Sequence, residues 1–284
     1  MTSSIPALLR RHSFIVFLVL TILISWIPWY TGGAGLFVFG PSIAGVIVIA
    51  FVYGKEGLRN LTQRTLRWRV GLVWWAIALF LPALLTLISI GINALLGGTV
   101  PGFTFFRQEW YLAPVFFLIT IVGGPLGEEF GWRGFALPKL QGMWGPVVAS
   151  LIIGTVWGLW HIPQFLLSGS LQAVIGMGLL PVYVVGEIVL SIIMTWIYNK
   201  TGGSLLLAGL LFHNADNFWG VTLGTEVTMT TALQGGTAPP FDVRFWEVSV
   251  AVSVLAAIIL LIATKGRLGF PKDKGKQAPL VLPL

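Results

Sequence analysis

The sequence of 284 residues is far more apolar than that of a soluble protein, with 56% hydrophobic and 10% charged residues, where soluble domains carry about 25% charged residues. This composition excludes a water-soluble core and leaves no length for a sizeable aqueous domain. The net charge of +7 does not indicate nucleic-acid binding, because the basic residues lie beside hydrophobic segments rather than along one amphipathic face. The absence of cysteine excludes disulfides, thiolate metal ligands and cysteine catalysis.

Eight apolar stretches follow one another along the chain, at 13–30, 35–53, 70–97, 112–140, 143–166, 173–199, 203–220 and 245–264. The first follows Arg10 and Arg11 and lacks a small-residue cleavage site, which favours a retained span over a signal peptide. The fourth is longer than a bilayer requires and turns polar after Gly127, so its second half is expected inside the bundle.

These stretches predict an all-α fold, a polytopic transmembrane helix bundle of about eight spans. We expect one membrane domain over residues 13–264, after a cytoplasmic N-terminus at 1–12 and before a basic cytoplasmic tail at 265–284. The tail is rich in proline, lysine and glycine, a composition that predicts disorder.

The lysines and arginines predict the orientation of the bundle. With the N-terminus inside, fifteen of the 17 lie at inner connections, and only Arg107 and Arg244 lie outside. The positive-inside rule therefore predicts that both termini are cytoplasmic, in a multi-pass protein of the cell membrane. The segment 54–70 contains five basic residues and is either an amphipathic stretch on anionic lipid headgroups or a solvated basic loop.

Ionisable residues inside apolar stretches are the strongest functional signal, because each is costly to hold in lipid and indicates an inward-facing functional or paired group. They are Glu128, Glu129, Arg133, His161, Glu187, His213 and Asp216. A helix rises about 1.5 Å per residue, which puts Glu128, His161 and His213 roughly 20, 28 and 18 Å from connections on the same side. We expect these three residues to converge near the middle of the membrane.

Helical spacing divides this set into roles. Glu129 and Arg133 are four residues apart and are expected to pair, which leaves Glu128 available for acid and base chemistry. His213 and Asn217 also share one helical face. A neutral imidazole can accept a proton or bind a metal, and an asparagine amide can donate to an oxyanion. Together these residues indicate a hydrolase.

Two further acids leave alternatives open. Glu187 has no local partner in the sequence and either lines the cavity or pairs with Arg133. Asp216 either orients the His213 imidazole or caps a local bend. Trp157 and Trp160 are the tryptophans expected to wall the site.

Three ordered motifs within about residues 112–220 resemble the CAAX protease and bacteriocin-processing family of intramembrane peptidases, also called CPBP or Abi, with its type II CAAX prenyl endopeptidases. The motifs are Glu-Glu-x-x-x-Arg, an aromatic residue four positions before histidine, and His-x-x-x-Asn. They are matched here by Glu128, Glu129 and Arg133, by Trp157 and His161, with tryptophan where phenylalanine is more usual, and by His213 and Asn217.

The resemblance implies a membrane endopeptidase that acts on peptide or membrane-protein substrates. In such an enzyme Glu128, helped by His161, activates a water molecule. His213 and Asn217 would stabilise the oxyanion, and Glu129 with Arg133 would hold the site together. Two forms of the chemistry stay open: Glu128, His161 and His213 bind zinc with water as the fourth ligand, or the glutamate acts without a metal.

Two other classes of function also stay open. One is a proton-coupled transporter that uses the buried acids and histidines as a relay, although the chain shows no repeated pattern of broken helices. The other is a non-catalytic bacteriocin-immunity or binding protein on the same scaffold.

Overall fold

The computed structural model describes residues 5–33, 35–233, 242–273 and 282. It is 79% helical, and this part of the chain contains no strand. The longer helices are α1 (Ile5–Ser25), α2 (Gly40–Thr65), α3 (Leu72–Leu95), α4 (Ala113–Gly123), α5 (Pro125–Gly131), α6 (Leu137–Trp144), α7 (Pro146–Trp160), α8 (Leu180–Lys200), α9 (Phe212–Gly224) and α10 (Val243–Ala263). Short helical segments lie at Ile27–Tyr30, Thr104–Gln108, Trp110–Leu112, Ile162–Phe165, Leu171–Ile175, Met177–Leu179 and Met229–Leu233. The predicted all-α fold is confirmed.

Within the described residues, five helical stretches are long and apolar enough to cross a membrane. They are Gly40–Thr65, Leu72–Leu95, Pro146–Phe165, Met177–Lys200 and Val243–Ala263. A sixth crossing results if Trp110–Gly123 and Pro125–Trp144, which meet at a bend of 45°, form one span. The first and seventh predicted stretches overlap α1 and α9, so the count of eight, like the orientation of the termini, stays a prediction.

The fourth apolar stretch is divided by a sharp break. Helix α4 ends at Gly123, and α5 begins at Pro125, which has no N–H and therefore fits the first turn of a new helix. The half before the break exposes Leu118 and Val122 at its surface, whereas Trp132–Leu140 are buried. The prediction that the second half lies inside the bundle is confirmed.

Glycines let α7 and α8 approach each other closely. Gly154 and Gly158 are four residues apart, on one face of α7. A Cβ atom at position 154 would lie 2.3 Å from Cα of Ile188, and one at position 158 would lie 2.9 Å from Cα of Val184. Small residues at this spacing are how membrane helices pack backbone against backbone. The contact fixes the wall of the bundle that carries His161.

Two π-helical segments interrupt the helices that carry the acids and histidines of the motifs. The first, Trp132–Ala136, joins α5 to α6, and the second, Leu206–Leu211, leads into α9. A π-helical turn contains one extra residue relative to an α-helix, so it rotates the side chains before it relative to those after it. Such turns are frequent at functional sites.

The first π-helical segment is stabilised by a buried arginine from α2. Pro138 has no N–H, so it cannot donate to the carbonyl of Gly134 in α-helical register or to that of Arg133 in π-helical register. The guanidinium of Arg64 donates to both of these carbonyls, at 2.7 Å for Gly134 and 3.4 Å for Arg133, and to the Tyr198 hydroxyl at 3.0 Å. Only 2% of Arg64 is exposed.

The buried position of Arg64 corrects part of the prediction that the basic residues of segment 54–70 face lipid headgroups or solvent. Helix α2 kinks at Gly54, where φ is 61°, and continues to Thr65 as an amphipathic helix. Its buried face consists of Gly57, Leu61 and Arg64 and packs on the protein, while Arg59 is exposed. Arg64 is therefore a buried structural residue, because the carbonyls around Pro138 need a donor, and it does not contact lipid headgroups.

The start of the predicted tail packs on the bundle. Leu268 is fully buried, and Nδ2 of Asn199 donates to its carbonyl at 3.1 Å. Residues 274–281, 283 and 284, on which most of the disorder prediction falls, lie outside the described residues.

Replacement of Arg64 by methionine is expected to destabilise the protein, because two buried carbonyls lose a charged donor worth about 3 kcal/mol. We expect the thermal unfolding midpoint in detergent to fall by ~5 °C or more. Arg59→Met, on the exposed face of the same helix, is the matched control and should change the midpoint little. Equal midpoints for the two variants would contradict the assigned role of Arg64.

Candidate active site

The predicted polar residues surround one cavity of about 380 Å³ between α3, α7, α8, α9 and α10. Its lining includes Glu128, His161, Glu187, His213, Asp216 and Asn217, together with the amides of Gln164 and Gln172 and the hydroxyl of Tyr183. The expected convergence of Glu128, His161 and His213 is thus found in the structure. Glu129 and Arg133 are fully buried behind the cavity wall.

Glu128 is held by the indole of Trp157. Helix α5 places Glu128 in its first turn, just after the break at Gly124, and only 4% of the residue is exposed. Nε1 of Trp157 donates to Oε2 of Glu128 at 2.5 Å, across two helices. Oε1 has no hydrogen-bond partner among the residues that the structure describes, and it faces the space beside Gly124. One carboxylate oxygen is therefore fixed, and the other is free to contact a ligand or a water molecule.

Glu129 joins two helices through a single oxygen atom. Its Oε1 accepts from a guanidinium nitrogen of Arg133 at 2.9 Å and contacts Nδ1 of His213 at 2.9 Å. The pair predicted from the spacing of Glu129 and Arg133 is confirmed. The Arg133 guanidinium also lies 4.4 Å from the centre of the Trp157 ring, where a cation is attracted by the negative face of the indole.

This arrangement determines which nitrogen of each histidine can act in the cavity. Nδ1 of His213 faces Glu129, so Nε2 is the nitrogen left for a ligand. Nδ1 of His161 lies 2.9 Å from the Trp157 carbonyl, which can only accept, so Nδ1 carries the proton and Nε2 has a free lone pair. The rings of both histidines pack on Trp157, at 6.3 Å for His161 and 5.0 Å for His213.

Gly124 separates the amide of Asn217 from the carboxylate of Glu128. A Cβ atom at position 124 would lie 3.3 Å from Nδ2 of Asn217 and 3.6 Å from Oε1 of Glu128. Both polar groups therefore face one small space that a glycine leaves open. A side chain at residue 124 would occupy part of this space.

The two acids left open by the sequence both line the cavity. Among the described residues, Glu187 forms no ion pair with Arg133, and Oε2 of Glu187 is buried without a hydrogen-bond partner. Asp216 does not hold Nδ1 of His213, because Glu129 occupies that position. Trp157 walls the site as expected, whereas Trp160 lies outside the lining and packs on Trp132 at 6.2 Å.

The fit to a metal ion is poor in this arrangement. Among the residues that the structure describes, no group of three or more histidines and acids is arranged to hold a metal. The predicted zinc set of Glu128, His161 and His213 does not form such a group, although one polar atom of each residue is left available. The groups that can act on a substrate are therefore the side chains of the chain itself.

Two residues of the site have no motif that predicts them. Gly124 leaves open the space between Glu128 and Asn217. In the sequence, only the Gly124–Pro125 pair, at which the helix breaks, indicates this position. Arg64 donates to the backbone of the segment that carries Arg133. In the sequence, Pro138 indicates the need for such a donor, because the carbonyl of Gly134, four residues before it, cannot bond to a proline N–H.

Comparison with known proteins places these residues in a known family context. Residues 109–219 match the family model described as type II CAAX prenyl endopeptidase Rce1-like. The predicted family resemblance is confirmed. A protein named CAAX prenyl protease 2, from Methanococcus maripaludis, is 27% identical over 266 residues, which cover 84% of this chain and 90% of that relative. The matches and the apolar helices identify a multi-pass membrane protein and support an intramembrane protease.

Because the Glu129 carboxylate is shared between Arg133 and His213, substitution of Glu129 should lower stability more than substitution of the adjacent Glu128. Glu129→Gln leaves the buried guanidinium of Arg133 without its counter-charge, which costs about 3–5 kcal/mol. Glu128→Gln keeps an oxygen that can accept from Trp157, so it should unfold near the wild-type temperature. Thermal unfolding of both variants in the same detergent measures the difference, and a Glu128→Gln protein as unstable as Glu129→Gln would contradict this division of roles.

Proposed function

We propose that the chain is an intramembrane endopeptidase in which Glu128 activates water. The observation that carries the proposal is the free Oε1 of Glu128, which faces the cavity beside the amide of Asn217 while Oε2 is held by Trp157. A carboxylate fixed at one oxygen presents the other in a defined direction, as a general base requires. The comparisons support a protease, and the roles of the individual residues are our proposal.

In the proposed reaction, Oε1 of Glu128 removes a proton from a water molecule in the cavity. The water oxygen forms a bond to the carbonyl carbon of the peptide, and the carbonyl becomes a tetrahedral oxyanion. Glu128 then gives the proton to the amide nitrogen as the C–N bond breaks. Nε2 of His161 has a free lone pair and holds the water by accepting its second O–H.

The oxyanion is the species that needs stabilisation, and two donors face the cavity. Nδ2 of Asn217 lies next to the space in front of Glu128 and donates to the developing negative charge. His213 donates from Nε2 as an imidazolium, because Glu129 beside Nδ1 compensates its positive charge. In the group formed by Glu128, Glu129, Arg133 and His213, two carboxylates then face two cations.

Substitution of Glu128 tests the central step. Glu128→Gln keeps the size and the contact with Trp157 but cannot accept a proton, so we expect cleavage to fall by about 10²–10⁴-fold. The measurement is the rate of peptide-bond cleavage by purified protein in detergent. Glu247→Gln, at an exposed position of α10, is the control and should cleave at the wild-type rate. Cleavage by Glu128→Gln at the control rate would disprove the proposal.

A methyl group at position 124 tests the space between the base and the amide. Gly124→Ala puts a carbon atom 3.3 Å from Nδ2 of Asn217 and displaces the water or the oxyanion. We expect kcat to fall by roughly 10–100-fold, the cost of a small misplacement of reacting groups. Gly91→Ala, where a Cβ atom meets nothing within 4 Å, is the control, and both variants should retain near wild-type unfolding midpoints.

A further inference from the structure

Two acids of the cavity take no part in the proposed reaction. Glu187 lies on α8 and Asp216 lies on α9, and both line the cavity together with Glu128. Neither acid forms an ion pair with a lysine, arginine or histidine that the structure describes. Among the described residues of the lining there is no lysine or arginine. The cavity therefore contains two carboxyl groups that have no cationic partner in the described part of the chain.

The carboxyl group of Glu187 is in contact with the protein on one side only. It interacts with the hydroxyl of Tyr183, four residues earlier on the same helical face. Nε2 of Gln172 donates to that hydroxyl at 3.3 Å. Oε2 of Glu187 is buried without a hydrogen-bond partner, in a residue that is only 8% exposed. A buried carboxylate oxygen without a donor is costly, so a donor from a ligand would stabilise it.

Tyr183 connects this acid to the catalytic histidine. The Tyr183 ring packs on His161, with the ring centres 5.4 Å apart, and stacks with Trp246 at 6.4 Å. Trp246 and Tyr183 both line the cavity. The faces of such rings attract cations. Glu187 therefore belongs to a wall that begins at His161 and whose aromatic rings also favour positive charge.

The charges of the active site leave the two acids unmatched. In the proposed reaction, the carboxylates of Glu128 and Glu129 already face two cations. His161 adds no positive charge, since Nδ1 carries its proton and Nε2 has a free lone pair. Glu187 and Asp216 therefore add negative charge that only a bound cation would balance.

The other walls of the cavity indicate what kind of molecule carries such a cation. Leu85, Ile175, Leu190 and Phe245 are part of the lining and are apolar. A lysine side chain combines an aliphatic stem with a charged end, and it buries the stem along apolar surface. A peptide with a cationic group therefore matches both the apolar walls and the acids.

We propose that Glu187, assisted by Asp216, forms a subsite that binds a cationic group of the substrate peptide. The choice of a peptide rests on the proposed function, because a peptidase brings a peptide into this cavity. Two sources share the chemistry: a basic side chain near the cleaved bond, and an amino terminus, including the one released by cleavage. When the C–N bond breaks, the released amine takes up a proton and the carboxylic acid of the other fragment loses one, so an ammonium group forms at neutral pH.

Binding to the purified Glu128→Gln protein in an uncharged detergent tests the subsite without cleavage. The probe is a five-residue peptide of leucine and alanine with one central lysine, amidated at its C-terminus. Three forms are compared: acetylated only at the amino terminus, only at the lysine, or at both, because acetylation removes the positive charge. Isothermal titration calorimetry gives Kd, after subtraction of titrations into empty micelles.

We expect at least one singly acetylated form to bind roughly 10-fold more tightly than the doubly acetylated form, or better. Preference for the form with a free lysine identifies a basic side chain as the source, and preference for the form with a free amino terminus identifies the terminus. Glu187→Gln, added to Glu128→Gln, should remove the preference because the amide keeps the size without the charge. Glu247→Gln, at an exposed position of α10, is the control and should retain it.

Equal binding of the three forms, no binding of any form, or a preference that survives Glu187→Gln would overturn the proposal. The comparison of the three peptides needs no change at position 187, so it stays decisive if Glu187→Gln fails to fold. With Glu128 intact, Glu187→Gln should raise KM for the preferred peptide about 10-fold and leave kcat nearly unchanged, as for loss of uniform binding. Failure of the proposed function has a separate sign, which is cleavage that does not depend on Glu128.

Discussion

The Glu129 carboxylate, shared between Arg133 and His213, is the interaction on which the site depends. A buried carboxylate is costly unless its charge is compensated and its lone pairs are used. Here one oxygen atom binds a cation from its own helix and an imidazole from another helix. The two helices are thereby held at the distance and rotation at which Glu128 and His213 both face the cavity. Loss of this carboxylate would therefore affect both the fold and the chemistry.

The surroundings of this carboxylate explain why the helices around it are irregular. Arg133 lies in one π-helical segment, and His213 follows the other by two residues. The carbonyls that the first segment cannot satisfy are bonded by Arg64, which is why a buried arginine of α2 belongs to the site although it never reaches the cavity. Trp157 completes the arrangement, since its ring face contacts Arg133 and its N–H contacts Glu128. A phenylalanine at this position would provide the ring face without the donor.

Much of this could be predicted from the sequence, for identifiable physical reasons. The apolar stretches predicted an all-α membrane protein because a bilayer requires that length and composition. The spacing of Glu129 and Arg133 predicted their pair because residues four apart share a helical face. Depth along each helix predicted which residues meet in the cavity. Depth alone could not predict which ring nitrogen of His213 faces Glu129, because the rotation of these side chains about their helix axes depends on the π-helical turns. Arg64 and Gly124 were missed because their contacts are with distant segments.

The extra residue in each π-helical segment has a consequence for how such a site can change over evolutionary time. A regular α-helix advances about 100° per residue. Deletion of any one residue from Trp132–Ala136 would let the helix become regular, yet it would turn Glu128 and Glu129 by that angle relative to everything after Ala136. Point substitutions can adjust the site gradually, whereas changes of length in these two segments reorient it in a single step. We therefore expect related sequences to differ in loop length far more readily than in the spacing between Glu129 and Pro138 or between Ser204 and His213.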